Sequence, residues 1–370
     1  MKYFHFLFFL VSFLGFSQIP SGYYDSATGT GAILKTQLFN IINNNTNSLS
    51  DANYGDLWSL YNQSAFKDNY YDNDQTIVDL YTEIPSGTDI YSFTPITNQC
   101  GNYSGEGDCY NREHVIPSSY FGGKDSYPMY SDAHFVFPSD GYTNGEHGSF
   151  PYGVVQNATY TSSNGSKKGN NFNSGYSSGF SGTVFEPIDE FKGDVARAYF
   201  YFITCYEDQL STFHSNFSSS DVSAMFDGST HPALSSTFLN ILLTWNALDP
   251  VSIYEQNKNN DIYFFQGNRN PFIDNNDYVT EIWGNPLTNE SLSKLEATTI
   301  YPNPLKENFL NIETKEILNV EIFNVLGKSI FKRNVSPQNN KINVESLSKG
   351  VYLVRLTNEF GAITKKLIKQ

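Results

Sequence analysis

The stretch "GDCYNREHVIPSSYFGG" (107–123) sets Glu113 and His114 side by side, shortly after Cys109 and before Pro117. Adjacent side chains on an extended strand point to opposite faces. A site that used both would have to wrap around a strand end or a bend, and Pro117 favours such an ending. Further on, "SDAHFVFPSDGYTNGEHGSFPYG" (131–153) gathers Asp132, His134, Asp140, Asn144, Glu146 and His147 among turn-forming glycines and prolines.

A Glu carboxylate and an Asn carbonyl form a hard, all-oxygen ligand pair. Magnesium is satisfied by one or two such ligands, with water and substrate phosphate completing its shell. Zinc would ask for more nitrogen or sulfur. An unligated imidazole beside such an ion can accept a proton from water, since it titrates near ~6.5. Together these groups make a phosphodiester hydrolase, with a base for the attacking water and a cation for the developing negative charge. The bland alternative is a surface Glu-His pair with ordinary loop histidines.

The chain has 370 residues, long enough for two domains. Its start, "MKYFHFLFFLVSFLGFSQ", reads as a secretory signal peptide over 1–18, the apolar run being short of the roughly 20 residues a membrane span needs. No later segment is a candidate span. Of three cysteines, Cys100 and Cys109 are close enough to bridge in an oxidising compartment, and Cys205 falls in the apolar helical pattern "RAYFYFITCYEDQL" as a buried thiol. The net charge of −15 is unevenly spread: from Glu296 onward 11 Lys and Arg face 7 Asp and Glu, leaving 12 against 31 before it. A body at −19 is a poor long-range magnet for polyanions. Any nucleic-acid chemistry must therefore use a local basic pocket or a bound cation.

Helical spacing appears over 28–44, 189–210 and 231–250. The stretch 159–183, poor in aliphatics, reads as a long surface loop whose Lys167 and Lys168 could meet a phosphate. Aromatic residues make up 16% of the chain, enough to stack on splayed bases but more in keeping with core and loop packing. After 290 the texture changes to alternating strands: "NFLNIE", "NVEIFNV", "KSIFKR", "KINVESL", "GVYLVRL" and "ITKKLIKQ". This tail resembles the C-terminal sorting domain of the type IX secretion system, on "IYPNPLKENFLNIE" (300–313), "VEIFNVLGKSIFK" (320–332), "LSKGVYLVRL" (347–356) and the terminal "KKLIKQ". The resemblance implies passage across the outer membrane by that machinery, to the cell surface or the medium.

Four blocks in order, "CGNYSGEGDCYNREHVIPSSYFGG", "SDAHFVFPSDGYTNGEHGSFPYG", "ARAYFYFITCYED" and "FFQGNRNPFIDNNDYVTEIWG", resemble the endonuclease I family of the His-Me finger, or ββα-metal, group over roughly 30–285. The resemblance implies His114 as general base and Glu113 and Asn144 as magnesium ligands, with Mn2+ or Ca2+ as alternative ions. It places Asp132 and His134 as support for the ligands or the base, and Arg269 and Asn270 as loop pins or phosphate contacts. Arg112 and Lys124 are further candidate phosphate contacts. Three departures stand out: His147 and Cys205 occupy positions where the family often has arginine, and only Lys124 is available where some members carry a product-binding arginine.

The expected fold is α+β, a mostly helical and loop-rich nuclease domain with a ββα-metal core followed by a small all-β sandwich. The expected limits are a signal peptide at 1–18, the nuclease domain at 19–290, a linker at 291–299 and the sorting domain at 300–370. The function this implies is a secreted, magnesium-dependent, non-specific endonuclease acting on DNA, with RNA left open, as a monomer. The reading from another class is a secreted glycan-binding or adhesion protein without catalysis, which accounts for the acidity and the tyrosine-rich loops but not for Glu113, His114 and Asn144.

Overall fold

A computed structural model describes residues 19–44, 53–124, 126–217, 219–284, 298–315, 317–324, 328–358 and 361–370. The expected signal peptide and most of the expected linker lie outside these residues. Before residue 285 the helices are α1 Gly31–Asn44, α2 Leu57–Leu60, α3 Gly141–His147, α4 Lys192–Cys205, α5 Leu210–Phe217, α6 Ser220–Met225, α7 Ser236–Leu248, α8 Ile253–Gln266, α9 Pro271–Asp274 and α10 Asp277–Trp283. The strands are β1 Tyr110–His114, β2 Val136–Asp140, β3 Val155–Thr161, β4 Lys167–Asn171 and β5 Thr183–Glu186.

Helix α4 is the axis of this region, because every one of its residues is buried. A helix covered on all sides must satisfy its polar groups internally. Arg197 does so with a two-pronged ion pair to Glu255, at 2.6 and 2.8 Å. Glu255 at the same time closes a capping box with Ser252 at the start of α8. One carboxylate thus fixes two helices against each other. Cys205, at the end of α4, is buried and free.

Strands β1 and β2 pair antiparallel, Tyr110 opposite Asp140 and His114 opposite Val136, and α3 follows β2 with no intervening residue. Asp140 makes that abrupt change possible. Its side chain caps α3 by accepting from Thr143 N at 2.8 Å and also accepts from Gly107 N at 2.9 Å. Upstream, the Cys100–Cys109 disulfide closes the segment that delivers the chain into β1, with the two Cα atoms 5.7 Å apart.

The stretch 159–183, expected to be a long loop, lends residues 159–161, 167–171 and 183 to a three-stranded sheet ordered β3-β4-β5, and only its remaining residues connect the strands. Its outer strand β3 is exposed along most of its length and the β3–β4 register is twice interrupted. A sheet held by ladder hydrogen bonds, with few apolar side chains on one face, leaves no alternation in the sequence to reveal it. Lys167 and Lys168 therefore sit on β4, and Lys168 is paired with Glu146 of α3 rather than free at a loop tip. The helical pattern over 189–210 also breaks, α4 ending at Cys205 and α5 starting at Leu210.

After residue 298 the chain is all β: β6 Thr299–Tyr301, β7 Phe309–Glu313, β8 Leu318–Asn324, β9 Ser329–Val335, β10 Lys341–Asn343, β11 Gly350–Asn358 and β12 Gly361–Lys369. They form sheets ordered β10-β7-β6 and β12-β11-β8-β9. Leu310, Ile312 and Ile342 from the first meet Val320, Ile322, Val354, Leu356 and Leu367 from the second in a core of their own, separate from the one formed by residues before 285. Alternating burial along β8 is the period-2 pattern of a strand with one face inward.

Replacing both Cys100 and Cys109 by Ser frees a loop of about ten residues and should lower unfolding free energy by about 2.5–3 kcal/mol. Urea unfolding of the double variant checks this. A midpoint unchanged from wild type would show that the bridge does not brace β1.

Candidate active site

Alternation along β1 sends its side chains two ways. Asn111 and Glu113 face α3. Asn111 Oδ1 accepts from Asn144 Nδ2 at 2.7 Å, and Glu113 Oε1 meets His147 Nδ1 at 2.6 Å. Arg112 and His114 face an aromatic wall. The Arg112 guanidinium lies 3.4 Å above the Tyr54 ring and 4.2 Å from that of Trp58, while the His114 ring stacks on Tyr130 and Tyr54 at centroid distances of 4.6 and 5.4 Å. His114 is the last residue of β1. There the two faces open into one small pocket of about 120 Å³, whose walls include Arg112, Glu113, His114, Ser118, Asn144 and Ser149.

Each of the three central side chains is oriented by a partner. His114 Nε2 lies 3.0 Å from the carbonyl of Tyr130, so that nitrogen carries the hydrogen and Nδ1 keeps the lone pair. Among the described residues Nδ1 has no hydrogen-bond partner. Asn144 spends its amide N–H on Asn111, which leaves its Oδ1 as a free acceptor. Glu113 is buried, with 2% of its surface exposed, and Oε1 takes both Tyr81 OH at 3.0 Å and His147. Its Oε2 remains without a protein partner among the described residues.

The imidazole of His147 is fully buried between Glu113 and the carbonyl of Phe150, 3.1 Å from Nε2, and stacks on Tyr152. Its two ring nitrogens thus face the Glu113 carboxylate and the Phe150 carbonyl, and the contact to Glu113 stands where the family often has arginine.

The other candidates are distributed less centrally. Buried Asp132 accepts from Tyr206 OH (2.7 Å), Gln266 Nε2 (2.8 Å), Tyr201 OH (2.9 Å) and His134 N (3.1 Å). His134 Nε2 lies 3.2 Å from the Asn268 carbonyl. None of these bonds reaches Glu113, His114 or Asn144. They anchor the turn that carries Tyr130, and so act on His114 through the backbone. Arg269 is buried and clamped to Asp274 at 2.6 and 2.7 Å, and Asn270 caps α9 while donating to Arg197 O. Both pin the loop rather than line the pocket. Lys124 is exposed on the turn after Phe121. Cys205 lies at the end of α4, away from the pocket lining.

Asn111, Tyr81 and Tyr130 were not among the sequence candidates. Period-2 alternation could have paired Asn111 with Glu113. Nothing local points to Tyr81, whose contact spans 32 positions.

Residues 30–277 match the Endonuclease I family, and 299–370 match the secretion system C-terminal sorting domain. The chain belongs to the endonuclease I family. It is accordingly a nuclease and an enzyme, which sets aside the non-catalytic reading. Its relatives include the extracellular ribonucleases of Bacillus amyloliquefaciens, 30% identical, and Bacillus subtilis, 31% identical, each over 265 residues that make up 70% of this chain and 78% of the relative. Beta-agarase A of Zobellia galactanivorans is 32% identical over 106 residues, 25% of this chain and 19% of that protein, too small a share to carry its activity across. The sorting domain marks this endonuclease I family member for type IX secretion, to the cell surface or the extracellular space. No helix among the described residues is long and apolar enough to cross a membrane. Nucleases of this family typically depend on a divalent cation.

Burial holds the His114 imidazole down to about 4, against the opposing pull of its bond to Tyr130 and of nearby Glu113, and holds that of His134 down to about 3. Both rings should be neutral at pH 5.5, where a free imidazole is mostly protonated. Because the unfolded chain takes up these protons first, stability should fall as pH drops from about 6.5 toward 4. NMR titration of the imidazole nitrogens reads this directly. A His114 midpoint near 6.5 would mean that the ring is not desolvated as described.

Proposed function

We propose that this protein is a magnesium-dependent, sequence-tolerant endonuclease of the His-Me finger type, with β1, β2 and α3 as the ββα unit and His114 as general base. The observation that carries the reading is the tautomer. The Tyr130 carbonyl occupies Nε2, and the lone pair of His114 Nδ1 is left in the same pocket as two oxygens that have no partner among the described residues, Glu113 Oε2 and Asn144 Oδ1. Those oxygens fit a small hard cation, for which one or two protein ligands suffice. Manganese and calcium are alternative occupants. When bound, the cation would stabilise the charge developing on the phosphoryl and leaving oxygens.

The side chains supply the remainder. His114 Nδ1 accepts a proton from the water that attacks phosphorus, and the Nε2–H bond to Tyr130 holds the ring in plane while the charge appears. The stacked faces of Tyr54 and Tyr130 favour that transient cation. A ring held near 4 is a weaker base than free imidazole, but it is wholly in the accepting form at working pH. Tyr81 and His147 fix Glu113 so that only Oε2 is available. Arg112 lines the pocket and brings a positive charge to the side where a phosphate would lie, its buried Nε–H having no partner among the described residues. Asp132 and His134 act as positioning residues through the Tyr130 turn.

Water as nucleophile makes the 2′-hydroxyl dispensable, so DNA and RNA are both substrates and both yield 5′-phosphate and 3′-hydroxyl ends. The ribonuclease names of the Bacillus relatives make RNA an expected substrate rather than an option. Nothing in the pocket reads base edges, and backbone recognition follows. The enzyme acts as a monomer, with the nuclease domain at 19–290 and the sorting domain at 300–370 joined by 291–299.

His114→Ala should cut kcat by roughly 10²–10⁴-fold with the fold intact. Glu113→Gln and Asn144→Ala should instead raise the magnesium concentration needed for half-maximal rate, and chelation with EDTA should silence the wild type. Mapping product ends on RNA decides the nucleophile: 2′,3′-cyclic phosphates would refute attack by water. Binding of an uncleavable oligonucleotide should weaken only gently with salt, with a log–log slope of roughly −1 to −3, since few cations face the pocket. A much steeper slope would reveal a basic surface that this reading lacks.

A further inference from the structure

A second group of carboxylates lies apart from the pocket. In "DNYYDND" (68–74), Asp68, Asp72 and Asp74 each present a carboxylate oxygen, all within 4.8 Å of one another. Two more acids close on them. Asp89 donates its backbone N–H to Asp72 Oδ2 at 3.4 Å, and its side chain accepts from Ile84 N at 2.6 Å. Glu83 is fully buried, and neither of its oxygens has a hydrogen-bond partner. The charges acting on it, strongest first, are Asp89, Asp68, Asp79 and Asp72. Asp72 Oδ1 is likewise buried and unpartnered. Three buried carboxylate oxygens of this acidic group thus lack a hydrogen-bond donor among the described residues, and none of the ion pairs among them brings a Lys, Arg or His to any of these five acids.

A buried carboxylate with no donor and no countercharge is strongly disfavoured in its ionised form. A dication at this point removes the conflict. The ligands are all oxygen, which excludes zinc by preference. Calcium takes six to eight irregularly placed oxygens at about 2.3–2.6 Å, so ligands across the ion lie about 4.6–5.2 Å apart, whereas magnesium wants about 4.0–4.2 Å and keeps most of its water. A group of five carboxylates suits the ion that takes many protein oxygens rather than the one that is content with one or two and keeps its water. We infer that Asp68, Asp72, Asp74, Glu83 and Asp89 form a structural calcium site, distinct from the pocket at His114.

The site has a reason to be there. Asp68 and Glu83 bracket the segment that carries Tyr81, whose hydroxyl reaches Glu113 Oε1 at 3.0 Å and Tyr152 at 2.5 Å. An ion gripping both flanks holds Tyr81 against Glu113. An exported protein meets a medium in which calcium is available to fill such a site. It shares no residue with the pocket and does not depend on the catalytic assignment.

The test uses protein carrying Glu113→Ala and Asn144→Ala, which removes both candidate oxygen ligands of the pocket. Calorimetric titration with CaCl2 should give one equivalent bound. Thermal unfolding should rise by roughly 5–10 °C at a hundredfold excess over Kd, and by much less with MgCl2. Adding Asp72→Asn and Glu83→Gln should abolish the calcium response and raise the unfolding temperature in EDTA. No calcium response in the first background, or a response that survives the added substitutions, overturns the site, and an equal response to magnesium overturns the choice of ion. If the four-fold variant fails to fold, the exposed Asp74→Asn decides instead. Weakened calcium affinity supports the site, and unchanged affinity overturns it.

Discussion

Neighbouring residues on a strand cannot look into the same space while the strand continues. Glu113 and His114 share a pocket only because β1 ends at His114, between a helix on one side and an aromatic wall on the other. The surrounding structure secures that ending. Val115 N donates to the Phe135 carbonyl, the Asp132 network holds the returning turn, and Asp140 converts β2 into α3 without a loop. Glu113 then rests on two donors to one oxygen, each of the charge-assisted kind that contributes about 1.5–3 kcal/mol and is costly to leave unmade.

The acidity of the body gains a structural explanation from the same contacts. Most of the cations before residue 285 are used within the protein: Lys35 with Glu207, Lys168 with Glu146, Lys192 with Glu186 and Asp189, Arg197 with Glu255, Lys258 with Asp194 and Arg269 with Asp274. Those at Arg197, Lys258 and Arg269 are buried, where breaking a pair strands a charge. Few basic groups are left to face a polyanion, so attraction to substrate must be local to the pocket. A nuclease built this way trades long-range steering for a tightly specified reaction centre.

Much of this was legible in the sequence, for identifiable reasons. Long helices such as α1 and α7 announce themselves by apolar spacing, and the terminal strands by alternation, since in both cases one face is buried. The close cysteine pair and the Glu113–His114–Asn144 constellation carry chemistry in their residue types. What stayed hidden is what depends on contact across the chain. Strands β3 and β4 lack a buried stripe and read as loop. Asn111 looks like any polar strand residue until Asn144 is brought back beside it, and Tyr81 is one of 26 tyrosines until its hydroxyl meets Glu113. Arg269 and Asn270 are polar residues whose function is to hold a loop, which spacing alone does not separate from phosphate contact. The carboxylates around Glu83 come from three places in the chain and make no motif.

The central claim is a division of labour between two adjacent residues, one holding a cation and the other free to take a proton. Anomalous diffraction from crystals grown with manganese in place of magnesium tests it most directly. The account predicts a peak at coordination distance from Glu113 Oε2 and Asn144 Oδ1, with His114 Nδ1 outside the coordination shell and facing solvent or a phosphate. A peak with His114 Nδ1 bound to the metal, or none in that pocket, would contradict it.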